Sequence, residues 1–246
     1  MMGGQENFIK MNNQTIAPRP LTYIYGTGEY KISPSYDLYI EGQIFSKKKN
    51  KYLNTFLNGS LGRYQSFHIY EPNFGSRTFL VHRALASTYN DLIQKSPLVD
   101  YFGLELGKTY DNLITPTGIK LKPQKVTPDH VNCNGLDNSF GNLRLATKIE
   151  QDLNRRVYPS RKYLLPFGIQ KTPDFRPRSF KGKFNLNGHR CTTQYYSEIG
   201  EAVLAYNALK KQKIIEFFGQ ELGQRLINEI TYLSEYKLKQ QQLIGI

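Results

Sequence analysis

The chain has 246 residues, 39% of them hydrophobic, enough to bury the core of one large domain or two to three small ones. A formal charge of +13, from 33 Lys and Arg against 20 Asp and Glu, joined to 18 Tyr and 14 Phe, points to nucleic acid held in a salt-sensitive way. Two cysteines, Cys133 and Cys191, without CxxC spacing exclude a zinc ribbon, and the lack of a long apolar run excludes a signal peptide or a membrane span, so an intracellular, non-secreted protein is expected.

Residues 1–29 read as a loose tail. Residues 30–90 alternate short strand-like runs (30–33, 38–40, 43–45, 67–70 and 78–81) with turn signals, among them the basic turn 46–51. The tip Lys47 to Lys51 reads equally as a solvated hairpin end or as a phosphate contact. A short helix is expected from His82, whose imidazole is read as hydrogen-bonding backbone beneath the following module; His68 is given the same structural role. Residues 91–127 carry an apolar patch without clean period (Ile93, Leu98, Val99, Phe102, Leu104, Leu106) and a turn at 115–118, and read as an insertion.

The stretch 128–156, PDHVNCNGLDNSFGNLRLATKIEQDLNRR, organises the rest. Asp129 and His130 fall on a short strand, where neighbouring side chains point to opposite sides. An Asn/Gly/Asp/Ser loop follows, then residues 142–146 with period two, expected to pair back on the first strand. Thr147 with Glu150 three positions on is a capping box, so a helix should begin at Lys148.

The pattern resembles the HNH nuclease family, in the branch found in phage and intron-encoded homing endonucleases. Asp129-His130, Asn142-Leu143-Arg144 twelve residues after the histidine, and the capped helix carry the likeness; residues 81–86, VHRALA, match an element that precedes that motif in the family. The resemblance implies that His130 is the general base, an imidazole with a pKa of ~6.5 suiting that task. It implies that Asn142 braces the loop and the catalytic histidine, and that Asp129 ligates one divalent ion, Mg2+ or Mn2+ rather than zinc. The third position, nine residues after Asn142, holds Gln151 where the family has Asn or His; its carbonyl oxygen can ligate a hard cation, with an extra methylene to order.

Residues 157–218 begin with a linker and then show strands at 167–171, 180–186 and 190–196, with Asn187-Gly188 as a hairpin turn. A helix is expected over about 198–217. Phe167-Gly168-Ile169 and Glu201-Ala202-x-x-Ala205-Tyr206 resemble the AP2 DNA-binding domain, although Thr192 stands where that family has Trp. By that likeness Gln170, Thr172, Lys183, Asn185, Asn187, Arg190 and Thr192 would face the major groove, and Arg176, Arg178 and Lys181 would touch phosphates. Residues 219–246 read as a further helix with a Leu222, Leu226, Ile230, Leu233 stripe.

The expectation is thus an α+β chain: a strand-rich leader, a ββα-metal nuclease core, and a three-stranded antiparallel sheet with a helix. It would be a site-specific DNA endonuclease that nicks duplex DNA, a monomer before a homodimer, working in the cytoplasm of the cell that hosts its phage or intron gene. The alternative is a sequence-specific DNA-binding regulator whose nuclease site has decayed at Gln151.

Overall fold

A computed structural model of the chain describes residues 9–11, 14–24, 29–58, 62–72, 75–154, 168–172, 177 and 179–230. The first half runs β1 (Ile9–Met11), β2 (Gln14–Ile16), β3 (Arg19–Ile24), β4 (Tyr30–Leu38), β5 (Ile44–Ser46), β6 (Lys51–Tyr52), β7 (Phe56–Asn58), β8 (Tyr64–Glu71), β9 (Gly75–Leu80) and α1 (Val81–Thr88). Then come β10 (Gln94–Lys95), α2 (Pro97–Tyr101), β11 (Thr109–Tyr110), β12 (Gln124–Lys125), β13 (Thr127–His130), a single 3-10 turn at Phe140–Asn142, β14 (Leu143–Ala146) and α3 (Lys148–Leu153). The described remainder is β15 (Ile169–Lys171), β16 (Phe180–Leu186), β17 (His189–Thr192), α4 (Ile199–Phe218) and α5 (Gln220–Glu229). The chain is α+β with several small sheets, and no helix among the described residues is long and apolar enough to cross a membrane.

Two compact units emerge: Met1–Lys95 with Glu105–Lys108 and Val126–Leu145, and Ser96–Leu104 with Thr109–Lys125 and Ala146–Ile246. The dividing line crosses the expected 128–156 module between Leu145 and Ala146. The reason lies in α3, whose apolar side chains Ile149 and Leu153 join a buried cluster with Leu98, Leu121, Ile169, Phe184, Leu186, Tyr206 and Phe218. Part of the expected insertion therefore belongs to the C-terminal core rather than resting on the strands of the 128–156 module.

In the first unit β3-β4-β5-β6 and β7-β8-β9 form two sheets, and β14 lies between β10 and β13 in a third. The expected loose tail ends early: Leu21 and Tyr23 of β3 are buried, and Arg19 pairs with Leu38, so burial of two large side chains outweighs the cost of ordering that strand. Pro34, which has no N–H for a ladder, falls where the β3–β4 register shifts between Pro20 and Thr22. Helix α1 buries every residue except Arg83 and packs against β3, β8 and β13.

In the second unit the capping box forms as the residue types dictate: Thr147 Oγ1 accepts from Glu150 N at 3.4 Å while Glu150 Oε2 accepts from Thr147 N at 2.9 Å. The Glu150 carboxylate also takes Ser96 Oγ at 2.6 Å and Leu98 N at 2.8 Å, tying α2 to α3. Strands β15, β16 and β17 are antiparallel, and the turn residues Asn187 (φ 51) and Gly188 (φ 85) both adopt the left-handed conformation that a two-residue hairpin matching strand twist requires. Ala202, Tyr206, Ile214 and Phe218 of α4 cover the sheet's apolar face and the adjoining core, and Leu222, Leu226 and Ile230 extend it. The rest of the expected C-terminal helix, with Leu233, lies outside the described residues.

Candidate functional site

Asp129 and His130 end β13 and meet different partners, as a strand's alternation requires. Arg144, on the neighbouring β14, brings Nη2 to 3.3 Å and Nε to 3.4 Å from Asp129 Oδ2. The period-two pattern placed Arg144 on a polar face, but every residue of β14 is buried, and Arg144 is 4% exposed. Burial pushes the Asp129 carboxyl above its ordinary pKa, and the Arg144 charge acts against that push.

His130 is 6% exposed, and its Nε2 lies 3.2 Å from Asn138 Oδ1. Burial holds its pKa below the ordinary imidazole value, opposed by the Asn138 bond and by the charges of Asp129 and Asp137. A second imidazole stands edge-on to it: His82 of α1, with ring centroids 4.8 Å apart and planes at 67°. Tyr64 flanks both rings, at 5.1 Å from His82 and 6.1 Å from His130. The backbone bond expected of His82 is absent at Nδ1, which is buried with no hydrogen-bond partner, and burial first, then the nearby His130 and Arg83, lower its pKa to about 3. His82 is thus a neutral neighbour of the candidate base.

Asn142 ties the loop shut. Its Oδ1 accepts from Asn132 N at 2.9 Å, its Nδ2 donates to Asp137 O at 2.8 Å, and its carbonyl accepts from Val131 N at 2.8 Å. Within the loop Asn132 Nδ2 reaches Asp137 Oδ2 at 2.6 Å and Ser139 Oγ reaches Asp137 Oδ1 at 2.6 Å. These bonds satisfy polar groups that would otherwise leave the connection between β13 and the 3-10 turn loose.

Asp129 offers the hard oxygen a divalent cation prefers. Among the described residues no group of three or more His, Cys, Asp or Glu side chains that could hold a metal ion is present. Gln151 sits on α3 in the second unit, half-buried, with Nε2 3.5 Å from Ala146 O. Its neighbours are engaged elsewhere: Glu150 in the cap and Asp152 in an ion pair with Lys148.

The second unit carries the expected polar sheet face. Gln170 pairs with Lys181, Lys183 with Thr192 and Asn185 with Arg190, while Gly182, Phe184, Leu186 and Cys191 turn inward. Lys181 Nζ donates to Tyr195 OH at 2.9 Å and lies 4.7 Å from that ring's centroid, an aromatic on this face that the strand pattern did not single out. Two expected base-reading groups are occupied. Asn187 is 8% exposed, with Oδ1 accepting from Lys122 N at 2.7 Å and Nδ2 donating to Lys120 O at 3.0 Å, so its amide pins the hairpin to the 120–122 segment. Thr172 donates its hydroxyl to Ser179 O at 3.1 Å. Arg176 and Arg178 lie outside the described residues.

Asn138, Gln65 and the burial of Arg144 are what sequence reasoning missed, while His82 packs beneath this strand as expected but not through the backbone bond expected of it. Arg144 had a local signal, a lone charge between two strand leucines; Gln65 comes from a strand 73 residues before Asn138.

No family model matches the chain, and no curated protein matches it. Among solved structures it is similar to one titled "DNA binding and cleavage by the HNH homing endonuclease I-HmuI", at 20% identity and a TM-score of 0.29, over 50% of this chain and 50% of that one. This chain thus spans half the length of that endonuclease chain. An overlay this loose leaves the function to be argued from the residues themselves.

Proposed function

We propose that the chain is a metal-dependent DNA endonuclease of HNH type that nicks duplex DNA, with His130 as the general base. What supports this most is the placement, on one strand end, of a carboxyl that faces the Arg144 guanidinium at 3.3 Å and an imidazole whose pKa burial lowers. At neutral pH a neutral His130 can take a proton from water attacking a phosphate. Asp129 would hold a divalent cation, whose chemistry there is to neutralise phosphate charge and stabilise the leaving 3′ oxygen. Asn142 holds the loop that carries Asn138, and so fixes the imidazole's surroundings. Gln151 remains a candidate second ligand on its sequence spacing. The face bearing Gln170, Lys181, Lys183, Asn185, Arg190 and Thr192 would grip the duplex, Arg190 and the amides reading base edges and the lysines meeting phosphate.

The test is relaxation of supercoiled DNA with Mg2+ or Mn2+. Nicked circles that disappear in His130→Ala and on chelation, while DNA binding persists, are expected; parent protein that yields none across both metals refutes the reading. A second reading, a DNA-binding regulator with a lapsed nuclease site, is favoured by Gln151 and by the single carboxylate. Nicking that arises only in Gln151→Asn would select it.

A further inference from the structure

The nitrogen on which His130 carries its proton decides whether it can serve as a base at the other one, and the structure contains a device that sets this. Asn138, eight residues along the loop, is 7% exposed and lies between two partners: its Nδ2 donates to Gln65 Oε1 at 3.0 Å, and its Oδ1 faces His130 Nε2 at 3.2 Å. An amide oxygen only accepts, so with the Asn138 nitrogen committed to Gln65 the proton on a neutral His130 must sit at Nε2, leaving the Nδ1 lone pair as the basic one. The contact between loop and strand is enforced sterically. At Gly135 a Cβ would stand 2.3 Å from Arg63 O and 2.7 Å from the Tyr64 ring, so only glycine lets the loop lie against the start of β8, where Gln65 is.

We propose that Gln65 and Asn138 are positioning residues that lock His130 in the Nε2–H tautomer and so make Nδ1 the proton-accepting atom. The proposal deepens the endonuclease reading and rests on it for its catalytic meaning; the tautomer itself can be read without any cleavage. Reversing both amides would put the proton on Nδ1, the outcome the tautomer measurement distinguishes.

The experiment is long-range proton–nitrogen NMR on the full chain with labelled imidazoles, at about pH 8, without metal or DNA. The chain has 4 His, and His130→Gln assigns the signal. The parent should show the Nε2–H tautomer at His130, Asn138→Leu should shift it toward a mixture, and Asn138→Asp, which still accepts, should preserve it. Gln65→Met, at a less buried position, should loosen it too and guards against a misfolded Asn138 variant. In nicking assays kcat should fall roughly tenfold to a hundredfold in Asn138→Leu with KM little changed, and Asn138→Asp should recover most of it. An Nδ1–H tautomer in the parent, or a tautomer indifferent to Asn138 and Gln65, overturns the proposal, as does unchanged kcat in Asn138→Leu. Should the tautomer respond as described while the parent nicks nothing, the positioning stands and the endonuclease reading falls.

Discussion

His82 should make the fold acid-sensitive by an amount that can be worked out. In an unfolded chain its imidazole titrates near pH ~6.5, whereas in the folded state burial beside His130 and Arg83 lowers the pKa to about 3. The folded pKa lies below the unfolded one, so the unfolded state binds the extra proton between those values. Stability is therefore complete above about pH 6.5 and drains away as pH falls toward 3. At about pH 5 the gap from the unfolded value is roughly 1.5 units, and at ~1.36 kcal/mol per unit the loss is about 2 kcal/mol. His82→Phe keeps a ring in the niche between Tyr64 and His130 but has nothing to protonate. Thermal melts by circular dichroism, the chain having no Trp, should show the parent losing ~4–8 °C more than His82→Phe between about pH 7.5 and 5. Some acid sensitivity persists in the variant because the His130 pKa is lowered in the same sense. Equal losses in both proteins would refute the argument that a buried neutral His82 lies against His130.

Arg144→Met removes the guanidinium that opposes burial at Asp129, raising its pKa further; the Mg2+ concentration for half-maximal nicking should therefore rise more steeply as pH falls than in the parent, and an identical pH dependence in both contradicts this. Asn187→Ala should destabilise by roughly 1–3 kcal/mol, as two backbone partners lose their bonds, with DNA affinity of the folded protein unchanged. Arg190→Ala should do the reverse, weakening specific binding by about 1–3 kcal/mol with the melt unmoved; titrations and melts on the two variants decide it. Glu150→Ala removes the acceptor of four donors, Thr147 N, Thr147 Oγ1, Ser96 Oγ and Leu98 N, and should cost roughly 3 kcal/mol or more in denaturant unfolding.

What could be read from the sequence was local. The Thr147–Glu150 box lies within one helical turn, the Asn187-Gly188 turn within two residues, and the alternation of β16 within seven, so each shows itself in a short window. What could not be read depends on partners far along the chain. Asn187 looked free to meet a base because its bonds are to Lys120 and Lys122, 67 and 65 residues away. Asn138 looked like an ordinary turn residue because Gln65 is 73 positions off. The strand β3 was hidden for a related reason: Pro20 within it and Pro18 just before it argue against strand locally, and only pairing with β4 and burial of Leu21 and Tyr23 outweigh them.

Asp129 and His130 share one niche in which burial acts on both and is partly compensated at each. Burial favours the neutral form of both groups, and a carboxyl left neutral would be a poor ligand. Arg144 opposes this at Asp129 with a guanidinium that cannot itself lose its charge, since it stays protonated across the working range. At His130 the influences opposing burial are one amide oxygen and the charges of Asp129 and Asp137, and burial prevails. The uncharged His82 against its ring adds no positive charge that would make protonation still harder, so burial rather than repulsion governs His130, and Asn138 can choose the nitrogen that remains basic.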